Sequence, residues 1–260
     1  MRLLLSAVLL LALGYAGLCA LMYLQQRSLI YLPQYTRVTA AQTDFELTAE
    51  DGTVLRGWHL RAGGDDVVIY FGGNAEAIQW LLPEADRLFP GHDLYLLAYR
   101  GYGASDGRPS QQRLFDDALA LYDHIRRQRP QARIHVVGRS LGSGVAAWLA
   151  GHRQVERLVL VSAFDSLVAV ASDHYPWLPV RWLMTERYQS AKHLQGHAGP
   201  ILVIHAGADS IIPAQRTLAL VDSLPRPPRL LVLAGNDHNF DLSRPDVAQA
   251  IAGFLSEPES

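Results

Sequence analysis

Residues 134–150 read Ile-His-Val-Val-Gly-Arg-Ser-Leu-Gly-Ser-Gly-Val-Ala-Ala-Trp-Leu-Ala. Four residues of strand character lead into Gly138-Arg139-Ser140-Leu141-Gly142, and a run rich in small residues follows. This is G-x-S-x-G in the context that gives it meaning, a strand turning sharply into a helix. The turn lifts the serine hydroxyl above a sheet, and the small residues on either side let the chain reverse without clashing. Ser140 is therefore the candidate nucleophile, and the N–H of Leu141 is a candidate donor to a developing oxyanion.

Working outward, short apolar runs recur at 67–71, 94–99, 158–161, 201–205 and 230–233. Runs of this length suit strands covered on both faces. Helical patterns lie between them at 76–88, 111–127, 141–150, 213–224 and 246–255, with Ser110 placed as an N-cap. Residues 45–48 and 54–60 flank Glu50-Asp51-Gly52 and read as a hairpin. The expected fold class is α/β: a mostly parallel central sheet with an antiparallel N-terminal hairpin and helices on both faces. Residues 164–200 are too long for one crossover and are expected to form a small helical cap. Trp177 and Trp182 there are read first as packing residues, with Trp177 also a candidate substrate contact.

A serine hydroxyl needs a base, and the base needs an orienting group. In folds carrying this motif the chain order is serine, acid, histidine. Asp209 follows the 201–205 run and His238 follows the 230–233 run, so both belong at carboxyl ends of strands. They are the expected acid and base. Asp165 is a rival acid. Asp237 neighbours His238, but adjacent side chains diverge. His205 is expected to support the site, and His124 to be a surface residue. His193 and His197 have H-x-x-x-H spacing, but Leu194 replaces the glutamate of a zinc helix and Gly196 weakens the helix, so no metal is expected. No cofactor is required. The second oxyanion donor is expected from Gly72-Gly73-Asn74-Ala75: the N–H of Asn74, with Gly73 as fallback and substrate neighbour. The rival reading makes Asn74 an N-cap. The loop Gly101-Tyr102-Gly103 is expected to border the site, with Tyr102 as a substrate contact.

The chain has 260 residues, 49% hydrophobic and 18% charged, with net charge −2. That composition excludes a disordered chain, and without a basic run nucleic acid is not an expected partner. The one cysteine, Cys19, cannot form an intramolecular disulfide. Residues 3–24 carry no charge. As a helix they would extend ~33 Å, against a bilayer core of roughly 30 Å. A signal peptide is the rival, but its apolar region is about 7–15 residues, and Leu18 before Cys19 fits lipoprotein processing poorly. The expected organisation is an uncleaved anchor at 1–27, a connector at 28–44, the catalytic domain at 45–256 and a tail at 257–260. Arg2 and the amino terminus oppose Arg27 and Arg37 across the anchor, and the orientation chosen puts the domain outside the cytoplasm.

These residues resemble the α/β-hydrolase superfamily over roughly 44–255. The similarity is closest to its small membrane-anchored branch, which holds bacterial inner-membrane hydrolases and eukaryotic abhydrolase-domain proteins, some of them protein depalmitoylases. The stretches that carry it are Ser28-Leu-Ile-Tyr-Leu-Pro, Tyr70-Phe-Gly-Gly-Asn-Ala, Tyr99-Arg-Gly-Tyr-Gly-Ala-Ser-Asp-Gly-Arg-Pro-Ser, Gly138-Arg-Ser-Leu-Gly-Ser-Gly and His174-Tyr-Pro-Trp-Leu-Pro-Val-Arg-Trp-Leu. One position departs: the branch usually carries a histidine, resembling an oxyanion-loop support, where this chain has Gly72. The resemblance implies hydrolysis of an ester or thioester through an acyl-enzyme, on a small-molecule or lipid acyl substrate. A serine peptidase and a catalytically silent membrane scaffold are the alternatives. The oligomeric state is not legible.

Overall fold

The computed structural model describes residues 1–257. An apolar helix, α1 (Arg2–Ile30), precedes a hairpin of β1 (Phe45–Thr48) and β2 (Val54–Leu60). Then come β3 (Asp66–Phe71), α2 (Ala85–Leu88), β4 (Asp93–Leu97), α3 (Gln111–Gln128), β5 (Arg133–Arg139), α4 (Leu141–His152) and β6 (Leu158–Val161). Three short helices follow, α5 (Leu167–His174), α6 (Val180–Leu183) and α7 (Ser190–His193). The chain closes with β7 (Ile201–Ala206), α8 (Ala214–Ser223), β8 (Arg229–Leu233) and α9 (Pro245–Leu255). Of the expected tail, Glu257 pairs with Arg229, and 258–260 lie outside the described residues.

Among the described residues, eight strands form one sheet in the order β1-β2-β4-β3-β5-β6-β7-β8. β1–β2 and β2–β4 are antiparallel, and the remaining pairs are parallel. Central strands are buried along their length because they carry Val, Ile and Leu on both faces and helices cover both. β8 departs from that expectation. It is an edge strand, and Leu230 and Val232 are 40% and 52% exposed. An apolar run by itself does not distinguish an edge from a centre.

Helix termini follow local chemistry. Ser110 Oγ accepts from the N–H of Arg113, capping α3 as expected. α9 buries Val247, Ala248, Ile251, Phe254 and Leu255, one stripe at helical spacing. The helix expected at 76–88 does not form. A 3-10 segment spans Ile78–Glu84, and α-helix resumes only at Ala85. Pro83 has no N–H to give, and its ring clashes with the carbonyl four residues back, so an α-helix cannot run through it.

α1 continues past the expected anchor end and seats its last turns on the 164–200 segment. Cys19 and Met22 pack against Val168, Leu178 and Val180. Gln26 donates to Leu183 O and accepts from the N–H of Thr185, and Arg27 pairs with Glu186 at 3.0 Å. Leu178 and Val180 take the inward positions there. Trp177 and Trp182 therefore point outward, 55% and 88% exposed, instead of packing the cap down.

Candidate active site

The turn between β5 and α4 carries Ser140 at φ 50°, ψ −117°. A non-glycine residue held there is strained, and the surroundings must over-determine it. They do so by contact. The N–H of Ser140 donates to Val161 O at 2.8 Å, and its carbonyl accepts from Ser143 Oγ at 2.6 Å. A Cβ on Gly142 would lie 2.1 Å from Phe71 O, and one on Gly138 2.4 Å from Gly142 O, so only glycine lets β3, β5 and α4 approach this closely.

The loop after β7 brings Asp209, and the loop after β8 brings His238, to the same end of the sheet. His238 Nε2 lies 2.9 Å from Ser140 Oγ, and His238 Nδ1 lies 2.7 Å from Asp209 Oδ2. All three residues are buried. Asp209 Oδ1 accepts from the N–H groups of Ile211 and Ile212 at 2.9 and 2.7 Å. Burial pushes the Asp209 carboxyl up, but these bonds and the one from His238 outweigh it and hold it below its ordinary value. An ionised Asp209 can only accept, so Nδ1 must carry the imidazole proton. The neutral ring then offers its Nε2 lone pair to the Ser140 hydroxyl.

The rival groups are engaged elsewhere. Asp237 turns away from the His238 ring and accepts from Ser210 and from the N–H of His238. Asp165 pairs with Arg216 at 3.4 Å. His205 is buried, and that burial lowers its pKa. His124 is half-buried on α3, with its ring edge-on to Phe45 at 5.6 Å. His193 packs edge-on against Trp148 at 4.9 Å, whereas His197 is buried, with Nε2 unpartnered among the described residues.

The loop after β3 is held from several sides. Tyr99 Oη donates to Gly72 O at 2.9 Å, and the N–H of Gly73 donates to Glu76 Oε2 at 2.5 Å. Glu76 in turn accepts from Tyr70 Oη at 2.8 Å and pairs with Arg139 at 3.3 Å. Arg139 also donates to Phe240 O at 3.0 Å, tying the glycine loop to the histidine loop. Asn74 is not an N-cap, because Oδ1 accepts from the N–H of Leu32 at 2.9 Å and from Tyr102 Oη at 2.8 Å. Gly73, the fallback donor, has its N–H committed to Glu76. Among the described residues, the N–H groups of Asn74 and Leu141 donate to no protein acceptor. A side chain at Gly72 would meet Ile78 Cγ2 at 2.5 Å, so this loop is built for a glycine there.

A cavity of about 380 Å³ opens over Ser140, with Leu32, Gly73, Asn74, Ile211 and His238 in its wall. Two expected substrate contacts are placed otherwise. Tyr102 lies buried against Asn74, and Trp177 faces out from the cap with its carbonyl accepting from Tyr15 Oη. Sequence reasoning missed Leu32, Glu76 and Arg139. For Leu32 the only signal was the Ser28-Leu-Ile-Tyr-Leu-Pro stretch.

One group of side chains could hold a metal ion among the described residues. Asp66, His92 and His135 each offer a ligand atom within 4.8 Å of the others, at the opposite end of the sheet. Both Asp66 oxygens already accept from Arg133 at 2.6 Å.

Comparison with known proteins bears on the family and the fold. Residues 64–189 match the Hydrolase_4 family, described as serine aminopeptidase, S33. The uncharacterized protein Rv2307c of Mycobacterium tuberculosis is 37% identical over 97% of this chain and 95% of its own. The alpha/beta hydrolase domain-containing protein WAV2 of Arabidopsis thaliana is 31% identical over 66% of this chain and 63% of its own. Among solved structures, the esterase Pf2001 of Pyrococcus furiosus superposes with a TM-score of 0.64, covering 84% of this chain and 97% of that one at 18% identity, which speaks for the fold alone. With its mixed sheet, its strand–turn–helix serine and these relatives, the chain belongs to the α/β-hydrolase superfamily.

Proposed function

We propose that this hydrolase cleaves an ester or thioester by way of an acyl-enzyme, at a site tethered to a membrane by α1. The observation that carries the proposal is the continuous hydrogen-bonded path from Ser140 Oγ through His238 to Asp209, at 2.9 and 2.7 Å. Ser140 Oγ attacks the carbonyl carbon as its proton passes to His238 Nε2. Asp209 holds the ring in the required tautomer and stabilises the imidazolium that forms. The carbonyl oxygen gains the negative charge, and in this reading the N–H groups of Leu141 and Asn74, which donate to no protein acceptor among the described residues, share it. His238 then gives its proton to the leaving alkoxide or thiolate. Water, deprotonated by the same histidine, releases the acid and restores Ser140.

The membrane reading rests on α1, which is long and apolar enough to cross a bilayer and has no residue of its apolar window buried in the protein. In the reading we adopt, the amino terminus stays inside and the domain outside the cytoplasm, with Arg2 and the amino terminus balancing Arg27 and Arg37 across α1. Leu32, two residues beyond α1, lines the cavity over Ser140. That placement favours an acyl substrate already partitioned into the bilayer.

A panel of acetyl, octanoyl and palmitoyl esters, matched thioesters and aminoacyl anilides, assayed in detergent with the full chain, tests the reading. Turnover of esters or thioesters that rises with acyl length and vanishes in Ser140→Ala supports it. Anilide cleavage alone would make the protein a peptidase. No turnover by either chain would favour a scaffold.

A further inference from the structure

We infer that the first residue pair beyond α1 is a positioning element of the active site: the N–H of Leu32, together with the Tyr102 hydroxyl, fixes the Asn74 peptide by gripping its side-chain oxygen. The inference rests on Asn74 acting as an oxyanion donor, and it adds what makes that donor rigid.

Residues 72–74 are pinned one by one, and each pin is different. Gly72 is held through its carbonyl by Tyr99, and Gly73 through its N–H by Glu76. Among the described residues, Asn74 is held only through Oδ1, which receives the N–H of Leu32 at 2.9 Å and Tyr102 Oη at 2.8 Å. The N–H of Leu32 also lies 2.9 Å from Tyr102 Oη, so the three groups close a small ring of hydrogen bonds. Both lone pairs of Oδ1 are filled, while the backbone N–H of Asn74 donates to no protein acceptor among the described residues, and Asn74 shares the lining of one cavity with Ser140. Ala75 follows at φ 58°, a strained conformation that keeps this loop from relaxing into an ordinary helix start.

Leu32 is itself located by α1. The last turns of the helix are fastened by Gln26 to Thr185 and by Arg27 to Glu186. Tyr31 Oη donates to Glu186 Oε2 at 2.5 Å and lies 2.7 Å from Tyr188 Oη. One residue further on is the N–H that holds Asn74. A tilt or withdrawal of α1 is therefore passed to the oxyanion loop through the Leu32 N–H, directly to Asn74 Oδ1 and by way of Tyr102 Oη. An oxyanion donor works on the transition state and hardly at all on bound substrate, so loosening it lowers kcat and leaves KM nearly unchanged.

The test is a double-mutant cycle on the full chain with a soluble ester, using Tyr102→Phe and Asn74→Ala, with thermal melting as the folding control. Tyr102→Phe removes one donor to Oδ1, and the expected loss in kcat is about tenfold. Asn74→Ala keeps the backbone N–H but removes the grip, with an expected loss of about 10²-fold, within the range seen on losing one oxyanion donor. KM moves less than about twofold in both variants, because ground-state binding is untouched. Tyr102→Phe added to Asn74→Ala produces no further loss, since the hydroxyl acts only through Oδ1.

Equal losses from Tyr102→Phe in both backgrounds would overturn the inference, because a tyrosine that merely supports the fold acts regardless of Asn74. Unchanged kcat in Asn74→Ala would overturn it as well, together with the oxyanion role of that loop. Neither result touches Ser140 as nucleophile; only turnover that survives Ser140→Ala reaches that reading.

Discussion

The two ends of the sheet each hold a buried histidine beside an aspartate, and the two pairs are not alike. At the carboxyl ends, His238 sits between Asp209 and Ser140 with both ring nitrogens partnered. At the amino ends, His135 Nε2 lies 3.2 Å from Asp66 Oδ1, and its Nδ1 has no hydrogen-bond partner among the described residues. The aspartates differ most. Asp209 is held by backbone N–H groups, which leave its negative charge intact. Asp66 is forked by the Arg133 guanidinium, which neutralises it. An imidazolium beside Asp209 would gain a full counter-charge; one beside Asp66 would face an arginine as well. Burial accordingly drives the His135 pKa down to about 4 despite the hydrogen bond to Asp66. A buried histidine–carboxylate pair becomes a base for chemistry only when the carboxylate's charge is unspent and a hydroxyl stands on the other side of the ring.

Substitutions can break this contrast. The largest effect is expected at Ser140→Ala, a fall in kcat of about 10⁶-fold by analogy with loss of a triad serine elsewhere. Asp209→Asn should come next, at about 10⁴-fold, because the neutral amide lets His238 adopt the wrong tautomer. The matched change at the other end, Asp66→Asn, should leave kcat within about twofold, since nothing there faces substrate. Steady-state kinetics on the three variants checks the ranking. A large loss in Asp66→Asn would show that the two ends are coupled.

A smaller effect separates the ends by pH. His135 is buried neutral, and its folded pKa lies below its unfolded value of about 6.5. The unfolded chain therefore takes up a proton between those values while the folded one does not. Stability from this group is full above pH ~6.5 and is lost as pH falls toward its folded pKa, at no more than about 1.4 kcal/mol per unit. Asp209 acts lower. Its folded pKa is depressed, so its contribution is present above about 3.8 and lost as pH falls through the folded value. Urea titrations from pH 7 to 4 should show the slope, and His135→Gln should flatten part of it. His193, also lowered to about 4 by burial, accounts for some of the remainder. An unchanged slope in His135→Gln would place the acid sensitivity elsewhere.

What could be read from the sequence was what local pattern controls. Gly138 to Gly142 lies within one turn, and Asp209 and His238 each follow an apolar run, so strand order alone carried them to one end of the sheet. The grip on Asn74 was not readable, because Leu32 and Tyr102 reach it from far along the chain and leave no spacing signature. The same holds for Asp66, His92 and His135, which three separate segments bring together. Pro83 was a local signal that the helical pattern of 76–88 outweighed. For Trp177, composition suggested a buried or substrate-facing ring, but which face of a short cap meets solvent is a matter of packing against α1.

The central claim is that Ser140 is the activated nucleophile, and the most direct measurement is peptide-mapped mass spectrometry after treating the full chain with a fluorophosphonate. One phosphonyl group per chain on the peptide carrying Ser140, full labelling in Asp66→Asn and none in Ser140→Ala is the expected result. An unlabelled wild-type chain, or labelling that persists in Ser140→Ala, would contradict it.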